Sequence, residues 1–429
     1  MINSNTNTFK QSLISRAHKV LPAGSFGNMA SDIILERGKA GKVWDISGNE
    51  YVDFLLGSGP MFIGHAHPNV TKAIVDQAPN GTTFFANNQH GIYLAEKICE
   101  AIACADQLRF VSSGSEATLY AMRLARAFRK RDKILKFEGG YHGMSDYALM
   151  SLAPKRLTNY PQAIPDSAGI PKKAKDDMLI APFNDKEIVH SLIKEYHDEM
   201  AGVIVEPFQR LIPPEPGFLE MLREITTQYG IPLIFDEIVT GFRFSYGGAQ
   251  EYYGVTPDLC TLGKIIGGGF PLAAICGRQN LMKHFDKALI DEESFLPQIG
   301  TLSGNPLAAV AGLATLEILN SHVPYEKVFD TGNQLIDGLK AAMKDNGHIA
   351  NILGEAPLFD VFFTDKPIKN YRDILQSDTK KSMAYNQLLR QRNIFKGDSK
   401  FYVSVAHTQD DIDLAIFAMK DAAKELNEI

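Results

Sequence analysis

The chain has 429 residues, 45% hydrophobic and 22% charged, which is enough for a sizeable core and two or more structural domains. A formal net charge of −6 gives no electrostatic footprint for nucleic acid, although a local basic pocket for a phosphate is not excluded. No run is long and apolar enough to span a membrane, the N-terminus MINSNTNTFKQSLISRAHKVLP lacks the apolar segment of a signal peptide, and Cys99, Cys104, Cys260 and Cys276 lack metal-ligand spacing, so a reduced, cytoplasmic protein is expected.

Along the chain, VWDISGNEYVDF (43–54) predicts a hairpin around Ser-Gly-Asn. GHAHP (64–68) carries His65 and His67, but no further ligand falls at matching spacing; both are expected to be structural, with no metal. The runs LRFVSS (108–113), ILKFEG (134–139), GVIVEP (202–207), PLIFDEI (232–238), DLCTLGK (258–264) and PLAAICG (271–277) suit strands covered on both faces. With helical stretches between them they predict an α/β layer built on a largely parallel sheet. SEATLYAMRLARAFRKR (115–131) is the clearest helix, with Ala117, Ala121, Leu124, Ala125 and Phe128 at helical spacing, Glu116 at its start and Arg129, Lys130 and Arg131 at its end. Residues 151–177 are polar and proline-rich and predict a long loop, a common form for lids. DDIDLAIFAMKDAAKEL (410–426) predicts a closing amphipathic helix. Both chain ends, 1–60 and 319–429, are expected to form one smaller domain beside a large domain spanning 61–318.

The chemistry centres on two residues. Asp236 closes the apolar run of PLIFDEIVTGFR, and Lys264 closes the next one, in LCTLGKIIGGGFP. A lysine at the end of a buried strand with a strand-borne aspartate nearby is what pyridoxal phosphate (PLP) chemistry requires: the lysine forms the Schiff base, and the aspartate keeps the pyridine nitrogen protonated. Alone, each has an ordinary explanation, as a solvated lysine and a loop-capping aspartate. Three further motifs support the pair. In FVSSGSEA (110–117), backbone N–H groups and the hydroxyls of Ser113 and Ser115 make an anion site at a helix start, or else a simple serine cap. In EGGYHG (138–143), Tyr141 can lay its ring on a planar cofactor with His142 beside it; a turn with a half-buried aromatic is the alternative. GTLSGNP (300–306) offers a second phosphate contact, or a turn before an Ala-rich helix.

From about residue 14 to its end the chain resembles the class III (ω-) aminotransferases, most closely their glutamate-1-semialdehyde 2,1-aminomutase branch, through GHAHP, SSGSEA, FEGGYHG, IVEP, FDEIVTGFR, LGKIIGGG and GTLSGNP in that order. The resemblance implies a type I PLP-dependent transferase fold and a homodimer with active sites at the subunit interface. It assigns the Schiff base and proton shuttling to Lys264, the pyridinium nitrogen to Asp236 and the phosphate to Ser113, Gly114 and Ser115. Tyr141 and Ile238 would pack on opposite ring faces, with His142 and Glu206 supporting the cofactor and Thr301 reaching the phosphate from the other subunit.

Departures from the aminomutase pattern fall in the substrate region. Ser58 stands where that branch has Trp, Ala30 where it has a carboxylate-binding Arg, and Ser399 where it has a Glu; FQRLIPPEPGF, after IVEP, is shortened and loses a family Asn. New candidates for carboxylate binding are Arg210 and Lys400, with Lys396 also considered; a guanidinium fork suits a carboxylate, and a solvated surface charge is the ordinary alternative for all three. The expected activity is amino transfer between an amino acid or amine and a keto or aldehyde acceptor, small molecules expected to bear a carboxylate, with aminomutase-type intramolecular exchange as the alternative. A nucleotide-binding dehydrogenase is disfavoured because no G-x-G-x-x-G follows the first strand of a βαβ unit.

Overall fold

The computed structural model describes residues 2–29 and 33–428, with side chains from Thr8 onward; Ala30 lies outside the described residues. Its centre is a seven-stranded sheet in the order Gln107–Val111, Ala273–Gly277, Leu259–Leu262, Leu233–Asp236, Met200–Val205, Lys133–Phe137, Met178–Ala181. Ala273–Gly277 runs antiparallel to both of its neighbours, and the remaining pairs are parallel. The four central strands are buried at every residue, as the unbroken apolar runs require when helices cover both faces.

The outer strand Met178–Ala181 is one that the sequence reading missed. Four apolar residues directly after a polar loop carry no periodicity of their own, yet Ile134 to Phe137 pair with Met178 to Ala181 in continuous parallel register. The loop before it holds no regular element except a short 3-10 turn at Lys172–Asp177. The helix Gly114–Arg129 forms where its periodicity placed it. Ser113 and Glu116 close a capping box at its start, and Lys130 ends it in the left-handed region with φ 53°. Small residues let it sit close to the sheet: a Cβ on Gly202 would lie 3.0 Å from that of Ala125.

Two smaller sheets lie at the chain ends. One runs Leu35–Lys39, Lys42–Asp45, Glu50–Asp53, Ile394–Phe395, and includes the expected hairpin, in which Trp44 pairs with Glu50. The other holds Asn351–Glu355, Leu358–Phe362 and Phe401–Tyr402. Distant sequence is stitched together here: Ile394 pairs with Val52, and the Tyr402 N–H donates to the Phe54 carbonyl at 2.8 Å. The closing helix spans Gln409–Glu425. His65 Nε2 lies 2.7 Å from Asp53 Oδ2, and His67 accepts from the Asn69 N–H at the start of Pro68–Gln77. No single helix among the described residues is long and apolar enough to cross a membrane.

Lys396 is neither a substrate ligand nor a solvated charge. It is buried, and its ammonium donates to Asp360 Oδ2 at 2.8 Å and Asn386 Oδ1 at 2.7 Å. Burial raises the Asp360 carboxyl above its ordinary value, while the Lys396 partner opposes that shift. Removing one member of a buried pair strands the other charge, so Lys396→Met is expected to cost ~3–5 kcal/mol in urea denaturation. The double variant Lys396→Met/Asp360→Leu should recover most of that loss.

Candidate active site

Open α/β sheets bind ligands beyond the carboxyl ends of their parallel strands, and here those ends converge on one region. Asp236 is the last residue of Leu233–Asp236. Its Oδ2 lies 2.7 Å from His142 Nδ1, and its Oδ1 accepts from the Ile238 N–H at 3.2 Å and the Thr261 hydroxyl at 3.1 Å. These bonds fix the carboxylate at a buried strand end. His142 follows the strand Lys133–Phe137 through the Glu-Gly-Gly-Tyr turn and is itself buried, with its carbonyl accepting from the Thr118 hydroxyl at 2.6 Å.

Lys264 stands just past Leu259–Leu262, with φ 48°. A side chain held in the left-handed region costs on the order of 1–3 kcal/mol, and such strain persists where the surroundings over-determine it. Burial lowers the affinity of the Lys264 amine for its proton; Arg243 and Lys400 push the same way, and Tyr402 and Asp236 oppose them. A lysine so placed has more free amine at neutral pH than a solvated one.

Ile238 lies between two glycines. A Cβ on Gly114 would stand 3.2 Å from its Cδ1, and one on Gly263 would stand 3.0 Å away. Ser113 Oγ accepts from the Glu116 N–H at 3.2 Å, and Ser115 Oγ accepts from the Met144 N–H at 3.1 Å. The serine-cap geometry is therefore present, yet each hydroxyl keeps its proton to donate to an anion at this helix start.

Across from them, Glu206 caps the end of Met200–Val205, and its Oε2 accepts from the Tyr141 N–H at 2.8 Å. Tyr141 is 40% exposed, and the Arg210 guanidinium lies 5.5 Å from its ring centroid. Lys400 joins this group from the C-terminal segment. Burial pushes its ammonium down to about 7, Arg210 and Arg243 add to that, and Glu206 opposes it. Both carboxylate-ligand candidates, Arg210 and Lys400, thus reach the site, neither as a freely solvated charge. Ser399, its neighbour, is exposed and lines a separate cleft with Asp360 and Asn386. Ser58 is exposed with φ 67°. Thr301 is exposed too; its carbonyl accepts from the Thr83 hydroxyl at 3.4 Å, among the exposed apolar side chains Phe84, Phe85, Ile299 and Leu302.

Three buried polar residues escaped the sequence reading. Arg243 is fully buried, donates through Nε to the Val239 carbonyl at 2.7 Å and through Nη2 to that of Gly59, and lies 5.1 Å from the Tyr402 ring centroid. Burial lowers its guanidinium to about 10. Lys136, inside the apolar strand, donates to the carbonyls of Ala148 at 2.9 Å and Met150 at 2.6 Å, and burial lowers it to about 7. Gln209 is buried and donates to the Glu138 carbonyl at 2.9 Å. A polar residue inside an apolar run was the available signal for the first two.

The donor set fits PLP. A fixed carboxylate and a proton-poor lysine stand at adjacent strand ends, an apolar floor is made by Ile238, and helix N–H groups with two hydroxyls suit a phosphate. The family described as Aminotransferase class-III matches residues 25–385. This chain belongs to the class III aminotransferases.

The enzyme is PLP-dependent, has the type I PLP-dependent transferase fold, and moves an amino group between an amino acid or amine and a keto or aldehyde acceptor. An omega-transaminase from Sphaerobacter thermophilus is 33% identical with a TM-score of 0.92, over 97% of this chain and 98% of that one. A β-phenylalanine aminotransferase from Variovorax paradoxus is 28% identical with a TM-score of 0.86, over 97% and 94%. A glutamate-1-semialdehyde aminomutase from Pseudomonas aeruginosa PAO1 has a TM-score of 0.87 over 99% and 96%, but at 23% identity that likeness concerns the fold alone.

The long loop of this aminotransferase is anchored on the site. Arg372 donates to Glu138 through Nε at 2.7 Å and Nη2 at 3.1 Å, and to the Thr158 carbonyl at 2.7 Å; the Tyr160 hydroxyl donates to Glu138 at 2.8 Å. A charge-assisted hydrogen bond contributes about 1.5–3 kcal/mol. Arg372→Met should therefore speed amide hydrogen exchange across residues 156–164 by roughly tenfold or more. Mass-spectrometric exchange on the intact enzyme reads this directly.

Proposed function

We propose that this aminotransferase works between two molecules, one of them carboxylate-bearing, with Lys264 as its catalytic amine. The observation that carries this reading is the group of cations around Lys264: Arg210, Arg243 and Lys400 stand with it against the carboxylates Glu206 and Asp236. Arg243 is buried and Arg210, Lys264 and Lys400 are half-buried, and a surplus of positive charge partly withdrawn from water is stabilised by an anionic ligand. A β-amino acid of the β-phenylalanine type is the first donor to try, because two of the similar solved structures are an omega-transaminase and a β-phenylalanine aminotransferase.

PLP, when bound, supplies an electron sink that acidifies the substrate Cα–H and carries the amino group between the two half-reactions. The chain's own residues would do the rest. Asp236, braced by His142 and Thr261, would hold the proton of the pyridine nitrogen. The start of Gly114–Arg129, with Ser113 and Ser115, would hold the phosphate. Ile238 and Tyr141 would bound the ring, with Glu206 fixing the Tyr141 backbone. Lys264, with its depressed proton affinity, takes the proton from Cα and returns it. Arg210 and Lys400 would orient the carboxylate.

The aminomutase alternative has less support here. The residue that the C-terminal segment turns toward the site is the cation Lys400, while Ser399 faces another cleft. A homodimer is supported by the apolar surface beside Thr301, where Phe85 is 71% and Ile299 78% exposed. Four free cysteines are compatible with a reducing, cytoplasmic setting.

Single-turnover reactions without acceptor test the proposal. The donors are alanine, glutamate, β-phenylalanine, an aromatic amine and 5-aminolevulinate, with loss of the lysine-bound cofactor band and released keto product as readouts. Stoichiometric keto product from a carboxylate-bearing donor is expected; turnover of 5-aminolevulinate alone would instead establish the aminomutase. Lys264→Ala should lower turnover by about 10³-fold or more. Lys400 is charged below about 7 and neutral above it, so the donor KM should rise as pH passes through that value, and Lys400→Met should flatten the profile.

A further inference from the structure

Gln209 belongs to the shortened stretch between Met200–Val205 and Phe218–Gln228 and is 1% exposed. Its backbone is pinned by reciprocal bonds with Ile212, at 3.0 Å and 2.8 Å. Its side-chain Nε2 donates to the Glu138 carbonyl at 2.9 Å, an assignment that leaves Oε1 pointing elsewhere. That oxygen is buried and has no hydrogen-bond partner among the described residues. His142 presents the complementary case. Its Nδ1 is engaged with Asp236 at 2.7 Å, while its Nε2 is buried and also without a partner.

Both unpaired atoms border the same small space. A Cβ on Gly140 would stand 3.2 Å from His142 Nε2 and 3.4 Å from Gln209 Oε1, with the Phe137 carbonyl oxygen at 3.1 Å. Glycine thus keeps a polar-walled gap open between them. A buried polar atom left unpaired costs about 1–3 kcal/mol, and facing polar groups across a small gap are what a structural water joins.

We propose that Gln209 is a positioning residue for the Asp236–His142 pair. Across the face of Gly140, and through one shared water, Gln209 Oε1 restrains the Nε2 edge of the imidazole so that Nδ1 stays directed at the Asp236 carboxylate. Gln209 thereby links the Glu138 turn, which Arg372 anchors, to the carboxylate at the strand end. The contact does not depend on what Asp236 does; its consequence for the cofactor rests on the proposed role of Asp236.

The test uses the holoenzyme and the variants Gln209→Leu and Gly140→Ala. Side-chain nitrogen–proton NMR follows the His142 ring, identified by its loss in His142→Asn. In the parent enzyme a ring N–H protected from exchange is expected, and in Gln209→Leu it should exchange about tenfold faster or more. PLP should dissociate with a constant raised about 10-fold, the scale for groups that orient a ligand's partner, and the pH midpoint of the lysine-bound cofactor band should move. Donor KM should stay within about 2-fold, because Gln209 does not touch the donor in this scheme. Gly140→Ala fills the gap and should act in the same direction; it decides the matter if Gln209→Leu fails to fold. Unchanged His142 exchange in whichever of the two variants folds would overturn the proposal. Altered exchange with an unchanged spectrum and PLP affinity supports the contact and overturns its cofactor role. Asp236→Asn, run alongside, shows whether the fault then lies with the assignment of Asp236.

Discussion

A carboxylate at the end of a strand buried on both faces must be compensated, and much of the site's geometry follows from how Asp236 is. It receives the Ile238 N–H, the Thr261 hydroxyl and the His142 ring, from three different segments. Each bond places something else as well. The Ile238 bond tightens the turn that puts its side chain between Gly114 and Gly263. Thr261 lies on the strand that leads into Lys264, and His142 brings with it the turn that carries Tyr141. One compensated charge therefore fixes the relative positions of residues whose chemistry is quite different.

The opposite charge is less well compensated. Arg243 is buried with Nη1 unpaired among the described residues, and the amines of Lys264 and Lys400 are both depressed by burial with neighbouring cations adding to the shift. A cation-rich, desolvated site has little cost to repay when an anion arrives, since the penalty has already been taken in folding. In the proposed function the same arrangement serves two ends: it favours a carboxylate on the substrate and lowers the proton affinity of Lys264. Losing Arg243 or Lys400 would then raise the proton affinity of Lys264 as well.

The sheet was legible because strands covered on both faces must be apolar throughout, and Met200–Val205 or Leu259–Leu262 meet that demand without interruption. Met178–Ala181 was not, since four apolar residues at a sheet edge owe their pairing to Ile134–Phe137 rather than to any pattern of their own. Asp236 and Lys264 could be found because each ends such a run. Lys396 could not be placed, because whether a lysine is solvated or buried against Asp360 depends on residues far away in sequence. Lys136 and Arg243 were visible as charges in apolar company, but their partners are backbone carbonyls, which no sequence pattern marks. Ser399 and Lys400 differ by one position along the chain, yet Ser399 lines a cleft with Asp360 while Lys400 lies among Arg210, Glu206 and Arg243, a distinction that no sequence pattern marks.

Long-range contacts explain why the C-terminal segment matters to a site built on the large sheet. Lys400 directly precedes the two-residue strand Phe401–Tyr402, whose backbone is tied to Phe54, and Arg372 reaches back to Glu138 from the same part of the chain. The Arg372 contact crosses from the C-terminal segment to the turn that follows the strand Lys133–Phe137. A displacement of the C-terminal segment would therefore move Lys400 and the Arg372 anchor together while leaving the Asp236 bonds in place. The chain therefore departs from the aminomutase pattern at Ser58 and in the shortened stretch that carries Arg210 while the motifs that carry Lys264 and Asp236 keep it.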